Sequence, residues 1–265
     1  MSLSWADRIS LTLLDDTIFL RRQAHGTRTA QAETLVVKAD GDAGELLFAA
    51  EKAIREQPGW LRAGKLTVIL GNNRVRYAAL PWVDDFMRRE ERLSYARIAM
   101  SKLFGPVTEQ WDIRLSEADY GDPWLACGSD RALLEQIDTL ALACRWRLVS
   151  VQPALMTVAN EFRLRLAHGA VRLIMVERGR VVFARLEDGR WRQVRTRRLA
   201  NLDNAALQDL IAQEVLLDPD EAWNTSRLCL WAFSATGEQR AAWQGMGAEV
   251  LENYDMQNLL SQRRS

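Results

Sequence analysis

Three strand patterns joined by two tight turns are the feature that most constrains the fold of this chain. Apolar and β-branched residues recur between Ala170 and Thr196 in three runs, and each run predicts a β-strand. Arg178-Gly179 and Asp188-Gly189 separate the runs, and glycine-containing dipeptides of this kind favour tight hairpin turns. The stretch therefore predicts an antiparallel meander with strands at 171–177, 181–187 and 190–196.

Helices and strands alternate after the meander. A helix pattern begins near Leu207, with apolar residues at the spacing of one helix face. A strand at 228–233, a helix at 238–244 and a short strand at 248–251 follow. A meander that leads into such an alternation predicts a mixed sheet covered on both faces.

The first half of the chain repeats this order. Its predicted meander has strands at 9–14, 17–22 and 33–38, and Asp42 then opens a helix in which Glu45 completes a capping box. The run Leu66–Leu70 is typical of a strand buried on both faces of a sheet. The repeated order predicts two similar sheets.

A strand–helix–strand–strand block interrupts the first half. Its first strand, at 74–82, ends at Pro81, and we expect Asp84 or Asp85 to cap the long helix that follows. Two strands near 109–115 and 124–128 complete the block.

The core pattern then resumes with a helix that we expect Ser129 to cap. A strand at 147–152 and a helix from Pro153 to about Leu166 lead to the second half. The predicted domains are residues 1–166, with an inserted subdomain at about 73–128, and residues 167–265.

Composition excludes several function classes. Lys plus Arg and Asp plus Glu number 35 each in 265 residues, which argues against a general nucleic-acid surface. No run is long enough to span a bilayer, and the three cysteines are expected to be buried thiols in a reducing compartment. There are only two histidines, His25 and His168, both near predicted loop or helix ends, so a metal site or a Ser/His nucleophile pair has little support. We therefore predict no catalytic residues and no metal.

Two short motifs carry a resemblance to known proteins. The segment LTVILGNNRVRYAALPW, from Leu66 to Trp82, ends a strand in leucine-proline before an inserted helix. The stretch from Ser129 to Met156, which closes with VSVQPALM, ends a later strand in x-x-Pro before the connecting helix. With the duplicated order, these features resemble the actin-like (ribonuclease-H-like) ATPase superfamily. Within it they are similar to the cytoplasmic assembly proteins of type IV pili (PilM type, with MSHA-pilus relatives) and of type II secretion (GspL type). The resemblance implies a duplicated α/β ribonuclease-H-like fold with mixed sheets flanked by helices and an inserted subdomain.

The resemblance also implies where a nucleotide would bind. Actin-like ATPases cradle phosphates with the first hairpin of each half and hold adenosine in a glycine-paired loop. Here the first hairpin carries Asp15 and Asp16 without glycine, the second keeps Gly179 between arginines, and the third loop keeps only Gly237. Two carboxylates repel phosphates unless they bind a metal. We expect ordinary turns and no cofactor; the alternative is a shifted site for ATP and Mg that uses Asp15, Asp16 and Gly237.

Four residues of the inserted subdomain form the predicted partner-binding surface: Trp82, Arg88, Arg89 and Arg92. Tryptophan is enriched at binding hot spots, and the edge of the strand at 74–82 offers pairing to an extended peptide. The ordinary alternatives are core packing for the tryptophan and a salt-bridged, solvated helix face for the arginines. The basic run Arg190–Arg198 is expected either to protect an edge strand or to meet an acidic partner or an anionic membrane surface.

These features favour a non-catalytic actin-like scaffold at the cytoplasmic face of a type IV pilus or type II secretion assembly machine. By resemblance, its partners are the cytoplasmic tail of an inner-membrane assembly protein, the assembly ATPase and a second copy of the chain, with no nucleic acid. The expected location is cytoplasmic, peripheral to the inner membrane through these partners. The alternative is an active actin-like ATPase or phosphotransferase that binds ATP in an interdomain cleft.

Overall fold

Two five-stranded sheets with the same strand order form the framework of the protein. The structure is a computed structural model that describes residues 6–25, 32–86, 88–116, 118–199, 203–217 and 226–252. The strands are β1 (Asp7–Leu13), β2 (Thr17–Gln23), β3 (Glu33–Lys38), β4 (Gly64–Leu70), β5 (Val75–Leu80), β6 (Trp111–Leu115), β7 (Trp124–Asp130), β8 (Trp146–Pro153), β9 (Ala170–Glu177), β10 (Gly179–Glu187), β11 (Arg190–Leu199), β12 (Arg227–Ala232) and β13 (Glu249–Val250). The helices are α1 (Ala43–Arg55), α2 (Arg89–Phe104), α3 (Arg131–Ala143), α4 (Ala154–Glu161), α5 (Arg163–Leu166), α6 (Asn204–Leu217) and α7 (Gly237–Gly245), and a 3₁₀ helix spans Pro106–Gln110.

The chain divides into two units. One contains Met1–Val75 and Ser129–Thr157, and the other contains Arg76–Gly128 and Val158–Ser265. The inserted block therefore belongs to the same unit as the second five-stranded sheet. The predicted domain boundaries at 1–166 and 167–265 follow the order of elements along the chain rather than their packing, and they remain a prediction.

The two sheets are built on the same pairing scheme. The first has the order β3-β2-β1-β4-β8 and the second has the order β11-β10-β9-β12-β13. In the first, β1 pairs antiparallel with β2 and parallel with β4. In the second, β9 pairs antiparallel with β10 and parallel with β12. The repeated order predicted from the sequence is confirmed.

The first sheet buries one face much more completely than the other. Leu11, Leu13, Leu66 and Val68 are fully buried, and α1 packs against β2, β3 and α3 in the same unit. Along β4, burial alternates, because neighbouring side chains of a strand point to opposite faces. The expectation that 66–70 is buried on both faces is therefore wrong: Thr67 and Ile69 remain partly exposed.

The second sheet is buried on both faces. Ile174, Phe183 and Leu230 on one face pack with Trp243 of α7. Leu173, Met175, Ala184 and Cys229 alternate with that set, lie on the other face, and are fully buried. For this half, the prediction of a mixed sheet covered on both faces is confirmed.

The inserted subdomain has a small core of its own. Its three-stranded sheet has the order β5-β7-β6, which places β5 at an edge. Helix α2 packs onto this sheet through Ala96 and Met100, which join Leu80, Ile113 and Trp124 in one buried cluster. The strand–helix–strand–strand order predicted for the block is confirmed, with the 3₁₀ helix added before β6.

Two of the predicted helix caps are wrong, and both have a physical reason. Helix α2 begins at Arg89, after the acids expected to cap it, because Asp84 accepts hydrogen bonds from side chains instead. Helix α3 is capped by Asp130, whose carboxylate accepts from the Ala132 N–H at 2.8 Å. The Ser129 hydroxyl instead donates to the Arg74 carbonyl at 3.1 Å. The expected cap at Asp42 is confirmed, since its carboxylate accepts from the Glu45 N–H at 2.9 Å.

The connecting helix is broken into α4 and α5 at Phe162, whereas the sequence predicted one helix.

Cys144 and Cys229 are buried as expected, while Cys127 is partly exposed. Burial raises the pKa of each of the three thiols to about 11, so each is protonated at neutral pH. Within the described ranges, no helix is long and apolar enough to cross a membrane.

A buried carboxylate ties α6 to β11, and its removal tests this part of the fold. Glu214 is 1% exposed and accepts from Arg195 at 3.2 Å and from Arg197 at 2.6 Å. Glu214→Gln removes the charge that both arginines face, so we expect a loss of about 2 kcal/mol in the free energy of unfolding measured in urea. Glu187→Gln breaks a partly exposed pair with Arg192 and is the control, with a loss of about 0.5 kcal/mol or less. Equal losses in the two variants would contradict this assignment.

Candidate functional site

The first hairpin, between β1 and β2, is closed by its own hydrogen bonds. The Leu14 N–H donates to the Thr17 carbonyl at 2.9 Å, and the Thr17 hydroxyl donates to Asp16 Oδ1 at 2.8 Å. The guanidinium of Arg74 donates to the Asp15 carbonyl at 2.7 Å. The turn therefore leaves Asp15 exposed, engages the carboxylate of Asp16 with Thr17, and uses the Leu14 N–H within the hairpin.

The second hairpin contains a glycine for a conformational reason. Gly179 has φ of +79°, a left-handed conformation that other residues rarely adopt. A Cβ at this position would meet nothing within 4 Å, so space does not require glycine there. The conformation of the turn is sufficient to explain Gly179.

The third loop begins α7, and its donors are also used locally. Thr236 precedes Gly237, and its hydroxyl oxygen accepts from the Gln239 N–H at 3.1 Å. The Gln239 side chain in turn accepts from the Thr236 N–H at 2.8 Å. This reciprocal capping box satisfies two N–H groups at a helix end that could otherwise meet an anion.

These candidate nucleotide residues are distributed over both units. Asp15 and Asp16 belong to the first unit, whereas Gly179 and Gly237 belong to the second. Their assignment to a nucleotide site stays a prediction.

A group of three arginines near the second hairpin includes Arg76, which was not singled out from the sequence. Arg180 of β10 and Arg198 of β11 are cross-strand partners, and Arg76 of β5 lies close to both. Burial lowers the pKa of Arg76, and the positive charges of Arg180 and Arg198 lower it further. Arg76 and the two other arginines belong to the same unit, and their proximity is a result of its packing that no sequence spacing reveals.

The inserted subdomain carries an aromatic cluster, here named the Trp82 surface, formed by Trp82, Asp84 and Tyr120. Asp84 Oδ1 accepts from Trp82 Nε1 at 2.8 Å and from the Tyr120 hydroxyl at 3.1 Å. The two rings meet edge to face at 5.0 Å, and Tyr120 is 75% exposed. On its other side, the Trp82 ring packs 4.9 Å from the buried Trp124. The surface is therefore held in one arrangement before any partner binds.

The three predicted arginines differ in their surroundings. Arg88 and Arg89 are exposed at the start of α2, where the Arg88 N–H donates to the Glu91 carboxylate at 2.9 Å. Arg92 is half-buried and lies 5.8 Å from the centre of the Trp124 ring, a cation–π distance. The structure thus connects Arg92 to the Trp82 surface through Trp124, which contacts both.

The basic run on β11 is engaged within the second unit. Arg190 pairs with Asp122 of the inserted subdomain at 3.0 Å, and Arg192 pairs with Glu187 at 2.9 Å. As described above, two further arginines of the strand hold Glu214. β11 is an edge strand, so these paired charges fit the protective role that the sequence also predicted.

The sequence missed two members of the Trp82 surface. Asp84 was expected to cap a helix, and Tyr120 was not considered. Tyr120 lies 38 positions after Trp82 in the printed sequence, in a loop between β6 and β7. The two meet only because β7 lies between β5 and β6, a strand order that local patterns do not specify.

Comparison with solved structures identifies the fold. The chain is similar to a protein of actin-like ATPase fold and unknown function from Bacteroides thetaiotaomicron, with a TM-score of 0.64, 10% identity, and coverage of 97% of this chain and 96% of the other. The chain has the actin-like fold. The resemblance and the fold class predicted from the sequence are thereby confirmed. No protein-family model matches the chain, and no curated protein matches it in sequence.

Two further actin-like neighbours come from assembly machines. One is in a PilM–PilN type IV pilus biogenesis complex, with a TM-score of 0.63, 10% identity, and coverage of 95% of this chain and 90% of the other. Another is the cytoplasmic domain of EpsL, an inner-membrane component of the type II secretion system of Vibrio cholerae, with a TM-score of 0.56, 13% identity, and coverage of 97% and 94%. At these identities, the similarity establishes the fold.

The hydrogen bond between Tyr120 and Asp84 makes a prediction about titration. It raises the pKa of the Tyr120 phenol, because the ionised phenolate would lose the bond and face the negative carboxylate. Asp84→Asn should therefore bring the pKa of Tyr120 back toward its ordinary value. The measurement is ¹³C NMR of labelled tyrosine as a function of pH. Asp85→Asn is the control, because Asp85 is an exposed neighbour with a similar charge, and an equal shift in both variants would contradict the contact.

Proposed function

We propose that the chain is a non-catalytic actin-like scaffold of a type IV pilus or type II secretion assembly machine. One observation carries this proposal: the fold matches both the PilM–PilN complex and the EpsL cytoplasmic domain over at least 95% of this chain and 90% of each neighbour. The chain resembles these proteins along nearly its whole length, including the inserted subdomain. We place its work at the cytoplasmic face of the inner membrane, where a partner with a cytoplasmic tail holds it.

The nucleotide loops support a binding role rather than a catalytic one. The first hairpin exposes the carboxylate of Asp15, and carboxylates repel phosphate oxygens. The start of α7 closes two N–H groups in its capping box. The first hairpin and the start of α7 thus use backbone N–H groups in local hydrogen bonds, which supports a role for these loops in maintaining the fold.

We assign docking of the partner tail to the Trp82 surface and the adjoining edge of β5. A preorganised aromatic side chain loses little conformational freedom on binding, so more of the contact energy contributes to affinity. Trp82 is half-buried, Tyr120 is exposed, and Asp84 holds both rings by hydrogen bonds. β5 ends before Pro81 and is an edge strand of its three-stranded sheet, the kind of strand beside which extended peptides add by main-chain hydrogen bonds. Arg88 and Arg89 add positive charge. Arg92 lies at a cation–π distance from the ring of Trp124, on which Trp82 packs.

The docking assignment is tested with peptides that tile the cytoplasmic tails of inner-membrane pilus and secretion proteins encoded in the same genome. Trp82→Ala should weaken capture of the binding peptide by about 2 kcal/mol, roughly thirtyfold, if Trp82 is the central anchor. Tyr120→Ala and Arg89→Glu should weaken it less. Binding is measured by isothermal titration calorimetry.

Phe48→Ala is the matched control, because Phe48 is an exposed aromatic residue, 72% exposed, on α1 of the other unit. Trp82 also packs on Trp124, so thermal unfolding is measured for every variant. Tyr120→Ala removes a side chain with little packing and keeps the test valid if Trp82→Ala is unstable. Normal capture by both aromatic variants would place the partner elsewhere.

One observation favours a second function, the binding of ATP with Mg. The convergence of Arg76, Arg180 and Arg198 near Gly179 creates positive potential that favours an anion. The scaffold proposal expects no magnesium-dependent ATP turnover above a blank. Turnover that disappears in Asp15→Ala or Asp16→Ala, with Asp42→Ala as the control acid, would overturn the proposal in favour of an ATPase.

A further inference from the structure

The less buried face of the first sheet carries an open groove. It has a volume of about 300 Å³ and is lined by Arg8, Ile9, Ser10, Arg21, Gln23, Lys65, Thr67 and Val149. All of these residues belong to the first unit, which does not contain the Trp82 surface. The lining includes three basic side chains and no acidic one.

Strand register explains why these side chains meet. Arg8 pairs with Gln23 on one side and with Lys65 on the other, so the three form a row across the sheet. Ser10 pairs with Arg21 and Thr67 in a second row, two residues further along. Adjacent strands lie about 4.8 Å apart, and two residues along a strand span about 6.7 Å. The basic groups are therefore spread over a surface rather than gathered at one point.

An irregularity in β8 completes the groove. The register between β4 and β8 shifts after Leu66, so that Val149 is the extra residue on β8. Val149 is 53% exposed and lines the groove at its edge. Arg147, the partner of Lys65 on β8, is also exposed and extends the first row.

The second sheet provides an internal comparison. When the hairpins of the two sheets are matched, Arg8, Ser10 and Arg21 correspond to Val171, Leu173 and Ala184. Those three residues are all fully buried. The fold therefore accepts apolar side chains at these positions, and the polar, open face is particular to the first sheet.

We propose that this groove, named the Arg8 groove, binds an extended acidic segment of a partner protein. Carboxylates at alternate positions of an extended chain lie on one side about 6.7 Å apart, which matches the separation of the two rows, and Ser10, Thr67 and Gln23 supply hydrogen bonds between them. A single compact anion reaches fewer of these cations because they span two rows. This surface is independent of the scaffold's docking site and of the machine to which the protein belongs.

The chain's own last residues do not share this complementarity. Residues 253–265 lie outside the described part of the structure, and their sequence, NYDMQNLLSQRRS, has two arginines and one aspartate. A basic segment is repelled by a basic groove. This segment is therefore included in the experiment as a competitor.

The test uses the full chain and a fluorescein-labelled peptide in which Asp and Ser alternate, followed by fluorescence anisotropy. The same peptide with Asn in place of Asp is the uncharged control and should not bind. Lys65→Glu should lower the affinity by about tenfold, and Arg8→Glu should have a similar effect. Added salt should weaken binding, because the groove is open to solvent.

Lys52→Glu is the matched control variant, because it makes the same change in net charge on an exposed residue of α1. It should leave the affinity unchanged, and thermal unfolding confirms that each variant is folded. Equal losses in Lys52→Glu and Lys65→Glu would show non-specific attraction and overturn the proposal. Displacement of the peptide by inorganic phosphate at equal concentration would identify a compact anion site instead. Displacement by a peptide of residues 253–265, or tighter binding of a single-stranded oligonucleotide, would also overturn it.

Discussion

The structure depends on two central strands that pair differently on their two sides. β1 and β9 each take an antiparallel neighbour from a hairpin and a parallel neighbour from a crossover. Parallel pairing requires a connection of a dozen or more residues, commonly with a helix, so α1 must lie between β3 and β4 and α6 between β11 and β12. Because both central strands are paired on both sides, their ends and turns are held firmly. Any function must therefore use the turns, the faces or the inserted subdomain.

The turns bear on the proposal that the protein binds partners without catalysis. A phosphate site needs backbone N–H groups that point outward and remain available. In the hairpin after β1, Leu14 donates to Thr17, and Arg74 occupies the Asp15 carbonyl. At the start of α7, Thr236 and Gln239 satisfy each other. These local bonds stabilise the loops in the absence of a ligand and support the proposal that the protein acts through its surfaces.

The sequence predicted what depends on local pattern, and it missed what depends on tertiary packing. Alternation and turn residues located the meanders, and helical spacing located α1, α3 and α6 to within a few residues. Asp84 and Ser129 were misassigned as caps because an Asp or Ser near a helix start has the same local signal whether it caps or binds a distant group. Trp82 was located as a candidate for the partner site, but the role of Tyr120 depends on the order of β5, β6 and β7 and that of Arg76 on its packing near β10 and β11, which no local spacing encodes.

The two sheets also show that equivalent backbone positions do not carry equivalent chemistry. Val171 is buried where Arg8 is exposed, although both strands are paired in the same register with their neighbours. A buried face is constrained to apolar side chains, because an unpaired charge there would cost several kcal/mol, on the order of 5. An open face is free of that constraint, so its residues can be selected for a partner. On the open face of the first sheet, the side chains can therefore vary to suit a partner. In the second sheet, both faces are restricted to side chains that stabilise the fold.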